Sequence, residues 1–300
     1  MTKKTDVIKK IRLLIRLMLL AKVTKLLSRI VAPSHLEELA EKKNARAAAT
    51  LHDHTYGITS DPLTQFACAF SALVHDVDHA GVPNPTLIKE NEKMGQLYNG
   101  RSVAEQNSLD LAWSMLMDER FRNLRGALFS SKSDFCRFRD LVINSVLATD
   151  IADKELKQLR NNRWQKAFDP SSGIEEDVSR DAVNRKATIV IEHLIQASDV
   201  SHTMQHWHVY RKWNQRLFEE CYRAYQAGRA EENPAIGWAK GELGFFDFYI
   251  IPLAKKLKEC GVFGKSSDEY LNYALQNRGE WATKGDEVVE EMMEQFRSEL

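Results

Sequence analysis

Long stretches of this 300-residue chain repeat apolar side chains every three or four positions, and no run of alternating Val, Ile and Thr stands out. A 3.6-residue period gathers such side chains on one helix face, whereas a half-buried strand needs strict alternation. The periodic stretches are roughly 62–80, 102–129, 132–150, 184–227, 240–258 and 268–298. Turn chemistry separates them, in "HAGVPNP" (79–85), "FDPSSGIEED" (168–177), "AEENPAIG" (230–237) and "CGVFGKSSD" (260–268). The pattern predicts an all-α protein with one helical domain over 22–300, preceded by a basic segment at 1–21. No internal repeat or low-complexity tract interrupts it.

Lys plus Arg equals Asp plus Glu, 42 each, so no global field draws the chain to nucleic acid. An anionic substrate must therefore be held by local charge, and a bound metal is the densest local charge a protein can offer. The cysteines (Cys68, Cys136, Cys221, Cys260) are scattered, with no Cys-x-x-Cys pair. That pattern disfavours a disulfide framework and a zinc-thiolate site, and fits a reducing, cytoplasmic compartment. The first thirty residues are strongly basic, with Asp6 their one acid. The longest uncharged apolar run there, Leu17 to Ala21, is too short to span a bilayer. The segment reads as a helix docking its apolar side on the core, with surface association to a membrane as the alternative.

Two aspartates lie on apolar helix faces. In "DPLTQFACAFSALVHDVDH" (61–79), Asp61 reads as an N-cap ahead of Pro62 in the first turn. Counting back from Asp76 by three, four and seven gives Leu73, Ala72 and Ala69, and His75 and His79 are one helical turn apart. In "ATIVIEHLIQASDVSH" (187–202), Ile191, Ile195 and Asp199 share one stripe. A buried carboxylate needs a cation or a proton. A metal held by His75, Asp76 and Asp199 meets that need for both acids, and the combination matches the broad HD-type metal phosphohydrolases. A pair of structural salt bridges is the bland alternative.

Five landmarks in order, "HDVDHAGVPN" (75–84), "SVAEQNS" (102–108), "VLATDIADK" (146–154), "IQASDVSHT" (195–203) and "ELGFFDFYIIPL" (242–253), give the chain from about residue 22 onward a resemblance to the catalytic domain of class I 3',5'-cyclic nucleotide phosphodiesterases. The resemblance implies a compact multi-helix HD-type fold holding two divalent metals, zinc at one site and magnesium or manganese at the other. It places His75, Asp76 and Asp199 on the zinc, with Asp76 bridging to the second ion. His79, Glu105 and Thr149 would hold waters around that ion. The implied reaction converts a cyclic purine nucleotide to its 5'-monophosphate.

The resemblance also assigns a base pocket. Phe245 matches the aromatic that stacks on the purine, and Leu217 in "YRKWNQRLFEE" (210–220) matches the apolar residue on the ring's other side. Glu242 stands where the family usually has glutamine, one helical turn ahead of Phe245. An ionised carboxylate accepts hydrogen bonds and donates none. Weaker base binding is therefore expected, with no choice between cyclic AMP and cyclic GMP, and Glu242→Gln should lower KM.

One family motif is missing. A His-Asn-x-x-His helix, supplying the general acid and another zinc ligand, should fall at about "KKIRLLIRLMLLAKVTK", yet no histidine precedes His35. Three accounts stand open. The chain is an incomplete copy of a longer protein; or it is an impaired relative that binds nucleotide or protein partners; or another histidine has moved in, with His202, His52 and His54 as candidates.

Overall fold

The computed structural model describes residues 49–168, 179–263 and 267–298. The basic segment 1–21, the stretch where the missing motif would fall, and most of the turn at 168–177 lie outside the described residues. The helices are α1 (Pro62–Val74), α2 (Asn84–Glu90), α3 (Glu92–Leu97), α4 (Val103–Met117), α5 (Arg122–Leu128), α6 (Lys132–Leu147), α7 (Lys154–Phe168), α8 (Arg180–Asp199), α9 (Trp207–Gln226), α10 (Trp238–Phe245), α11 (Ile251–Glu259) and α12 (Ser267–Ser298). Among the described residues there is no strand, as the 3.6-residue period predicts.

The described residues group into two compact units. Of these residues, one unit holds those up to His79 together with those of Met94–Asp199, and the other holds Ala80–Lys93 and those from Val200 onward.

The first unit is built around Phe138 of α6, which is fully buried. Phe66 and Phe70 of α1, Trp113 of α4 and Phe129 all bring their rings within 5.3–6.4 Å of it. Asp61 caps α1 as expected, accepting from the Leu63 and Thr64 amides at 3.2 and 3.3 Å. Arg137 of α6 reaches back to the same carboxylate.

In the second unit, the Ala80–Lys93 excursion is pinned by a two-pronged Arg229–Glu90 pair at 2.7 and 2.6 Å and by Lys89 on Glu231 at 3.0 Å. The 32-residue α12 is its spine, burying Trp281, Val288, Met292 and Phe296. Gly285 lets α10 close on that spine. A Cβ there would stand 2.7 Å from the Ala239 Cβ, well inside contact distance.

Several boundaries differ from the periodic reading. The stretch 62–80 stops being α-helical at Val74, and Asp78 then takes φ 61°, in the left-handed region. His75 and His79 therefore do not stack along one helix. The stretch 102–129 breaks at Asp118, which caps a 3₁₀ turn over Glu119–Phe121 by accepting from the Arg120 amide. The stretch 184–227 is interrupted by a second 3₁₀ turn, Ser201–Met204. Within 240–258, α10 widens into a π turn over Phe246–Ile250 before α11 resumes. Pro252 explains this, since it has no N–H and its ring crowds the carbonyl four residues back. Helix α7 carries no strong apolar period because only Arg160 and Trp164 are buried along it.

Candidate functional site

The end of α1 delivers His75 into the protein while its neighbours stay near water. The His75 side chain is 2% exposed, against 45% for Asp76 and 37% for Asp199. This corrects the expectation of buried acids: the buried ionisable group is the imidazole. Ile191 and Ile195 are buried as the stripe requires, but Asp199 is the last residue of α8, where the stripe reaches the surface.

His75 Nδ1 lies 3.1 Å from the Ala72 carbonyl oxygen, which can only accept, so Nδ1 carries a proton. Nε2 is thereby turned toward the two acids, 3.3 Å from Asp76 Oδ2 and 3.6 Å from Asp199 Oδ1. A neutral imidazole with its proton on Nδ1 would aim a lone pair at two carboxylates, so positive charge must lie between them. Both carboxylates also sit at helix C-termini, where the backbone dipole is negative and favours a cation. Burial disfavours the imidazolium, yet the hydrogen bonds and charges of Asp199 and Asp76 outweigh it and push His75 up to about 10.

His75, Asp76 and Asp199 offer the nitrogen and oxygen donors that a divalent cation accepts. Ligand atoms about 2.0–2.2 Å from a tetrahedral zinc stand roughly 3.3–3.6 Å apart, a range that includes both separations. The Nδ1 bond to a carbonyl is the usual device for presenting Nε2 to a metal. The set is not a closed cage: among the described residues no group of three or more His, Cys, Asp and Glu side chains is arranged to hold an ion.

The remaining candidates of the first unit are held by anchors that sequence reasoning missed. Ser108 of α4 donates to the Val77 carbonyl at 2.8 Å, tying α4 to the turn that carries Asp76 and His79. Glu105 stands one turn before Ser108 on the same helix, half-buried. His79 is half-buried too. Thr149 closes the end of α6, its hydroxyl donating to the Val146 carbonyl at 2.7 Å, an ordinary helix-end geometry. That end is held from three sides. Gln196 of α8 donates to the Ala148 carbonyl at 2.9 Å, Ser102 donates to Asp150 Oδ2 at 2.7 Å, and Arg160 of α7 donates to the Asp150 carbonyl at 3.2 Å. No local sequence signal marks these anchors, since each joins distant segments.

His52 and His54 are exposed. His52 pairs with Ser60 and lines a cleft of about 1190 Å³ in the first unit, along with Asp61, Arg137 and Lys186. His75, Asp76, Asp199, His79, Glu105 and Thr149 do not line that cleft.

The second unit holds the base-pocket candidates. Glu242 is 8% exposed, and Tyr210 donates to its Oε2 at 2.5 Å. Burial raises its pKa against the opposing hydrogen bonds from Tyr210 and Asn214. Phe245 is half-buried and stacks on Tyr249, with ring centroids 5.5 Å apart. Leu217 is 49% exposed, so it is no part of the core. His202 lies in the 3₁₀ turn with its ring 6.2 Å from, and nearly parallel to, that of Tyr210.

Known proteins resemble the chain throughout these regions. A family model described as 3'5'-cyclic nucleotide phosphodiesterase matches residues 45–270. A probable 3',5'-cyclic-AMP phosphodiesterase of Caenorhabditis elegans is 31% identical over 201 residues, covering 64% of this chain and 29% of the relative. The human dual specificity calcium/calmodulin-dependent 3',5'-cyclic nucleotide phosphodiesterase 1C is 31% identical over 199 residues, covering 62% of this chain and 25% of its own length. The chain thus spans little more than a quarter of these relatives. The phosphodiesterase domain of a Salpingoeca rosetta rhodopsin phosphodiesterase shares the fold, with TM-score 0.60 at 22% identity over 91% of this chain and 83% of that one. Among the described residues no helix is long and apolar enough to cross a membrane.

Proposed function

Because this chain belongs to the 3',5'-cyclic nucleotide phosphodiesterase family, we propose that it hydrolyses 3',5'-cyclic purine nucleotides to nucleoside 5'-monophosphates with the help of divalent metal. The observation that carries the proposal is the buried His75 Nε2 set between carboxylates from two helix ends. A divalent cation bound there would lower the pKa of its water far enough to supply hydroxide near neutral pH. His75, Asp76 and Asp199 are the residues that would hold it, with zinc favoured by the mixed nitrogen and oxygen donors. Glu105, Thr149 and His79 are assigned to ordering water for a second, magnesium-like ion that keeps most of its hydration. In the second unit, Phe245 and Leu217 offer apolar surface to a purine, and Glu242 addresses its polar edge.

A second reading has its own support. With no histidine before His35, the protonation of the leaving 3'-oxygen has no assigned donor, and the described residues form no closed metal cage. On that reading the chain is an impaired relative that binds cyclic nucleotide without turning it over. General acid loss typically costs about 10²- to 10⁴-fold in rate.

Metal analysis combined with a turnover assay separates the two. Near-stoichiometric zinc together with 5'-AMP or 5'-GMP formed from the cyclic nucleotide supports the enzyme. Protein that binds cyclic nucleotide but remains metal-free and inert under added zinc and magnesium supports the binding module.

A further inference from the structure

The surroundings of Glu242 have a definite hydrogen-bond direction. Trp238 Nε1 donates to Asn214 Oδ1 at 3.1 Å. An indole nitrogen can only donate, which fixes the Asn214 amide and turns its Nδ2 to donate to the Tyr210 hydroxyl at 3.2 Å. Trp281 Nε1 donates to the same hydroxyl at 2.6 Å. A phenol oxygen accepts two hydrogen bonds and donates one. Both acceptor positions are taken, so the Tyr210 proton goes to Glu242 Oε2 at 2.5 Å. Direction therefore runs from two tryptophans to one carboxyl oxygen, and Oε2 must accept.

We infer that Glu242 is a proton-gated reader of the purine edge, with Tyr210 as its positioning residue. Oε2 is committed as an acceptor, while Oε1 donates when the acid is neutral and accepts when it is ionised. The proton exchanges with solvent. In the neutral form the carboxyl offers one donor and one acceptor, the complement that adenine N1 with its amino group, or guanine O6 with N1–H, requires. The ionised form offers acceptors alone. This inference rests on the nucleotide reading of the pocket and extends it to the chemistry of selection.

The neighbouring charges leave the gate to the hydrogen-bond network. From α9, Tyr210 and Cys221 are the titratable groups that face Glu242, and burial raises both, with the Glu242 charge adding to the effect. The His202 ring lies beside those of Tyr210 and Trp213. On the packed elements, Glu280 pairs with Lys284, Asp247 with Arg278, and Arg211 with Glu291. No cation pairs with Glu242 among the described residues. Burial therefore favours its neutral form, and donation from Tyr210 and Asn214 opposes that.

Two measurements test the inference. Infrared difference spectra between the native chain and Glu242→Gln should show a protonated-carboxyl band that fades as pH rises, with its midpoint above the ordinary glutamate value of about 4.3. Tyr210→Phe should move that midpoint higher, because the hydroxyl it removes favours the ionised form; a purely structural tyrosine would leave the midpoint in place. Calorimetric binding of cyclic AMP and cyclic GMP should weaken about tenfold as Glu242 ionises, the loss expected when about 1.4 kcal/mol of hydrogen bonding disappears. Glu242→Gln should bind with no such pH dependence. Binding that is pH-independent in the native chain, or a midpoint unmoved by Tyr210→Phe, overturns the inference and leaves the nucleotide reading intact. Absence of binding at every pH, with the infrared titration intact, overturns the nucleotide reading of the pocket as well.

Discussion

The two candidate regions solve the same problem in opposite ways. At the end of α1 a buried base, His75, is surrounded by half-exposed acids. In the second unit a buried acid, Glu242, is surrounded by neutral donors. The first arrangement answers one charge with two of the opposite sign, leaving excess negative charge that an external cation can neutralise. The second supplies hydrogen bonds without a counter-charge, so the acid keeps the freedom to change its protonation state. On the proposed reading, buried groups of opposite kind thus serve a cation in one place and a proton in the other. What decides is the charge of the neighbours.

The sharpest way to break this contrast is to remove an acid from the first region. Asp199→Ala should lower zinc affinity by more than the roughly 10- to 100-fold typical of changes beyond the direct ligands. Competition against a chromophoric chelator reads this, and unchanged affinity would remove Asp199 from the set. Next in size is Phe138→Ala, which empties the hub that holds α1 against α6. Urea denaturation should show a loss of about 3–5 kcal/mol.

Gly285→Ala sharpens the other side of the comparison. Its new methyl meets Ala239 and must displace α10, at a cost of about 1–3 kcal/mol in stability. Nucleotide binding should weaken while zinc content stays constant, because the strain falls on the helix that carries Glu242. Loss of zinc along with nucleotide affinity would show that the two regions are not separable.

The smallest effect is expected at Asp61. Burial raises its pKa, but hydrogen bonds from Arg137 and Thr64 outweigh this and hold it below the usual aspartate value. A carboxyl lowered in the folded state contributes stability that is present above its unfolded pKa and lost as pH falls through the folded one. Asp61→Asn should therefore cost about 1 kcal/mol near neutral pH and progressively less in acid, as followed by thermal unfolding. A pH-independent difference would deny the carboxylate its ionic role.

Where a feature depends on neighbours along one helix, it was legible in the sequence. The stripe of Ile191 and Ile195 is a property of helical spacing and both are buried, although Asp199 at its end is not. The cap at Asp61 is equally local. The exit of the chain at Val74 was not legible, because no Gly or Pro occurs between Pro62 and Gly81 and the turn is made by Asp78 in a left-handed conformation. Burial of His75 in place of Asp76 follows from that early exit. The polarity of the Glu242 network was beyond sequence reasoning for a different reason: its links join residues 32 and 71 positions apart. Glu242 itself was noticeable only as an acid where the family places an amide.

The proposed hydrolysis depends on a divalent cation shared by His75, Asp76 and Asp199. Anomalous diffraction at the zinc edge, from crystals grown with zinc, tests it most directly. A shared cation gives a peak about 2.0–2.2 Å from His75 Nε2 and from an oxygen of each carboxylate. A map with no peak there, and His75 still bridging the two acids through a proton, would contradict it.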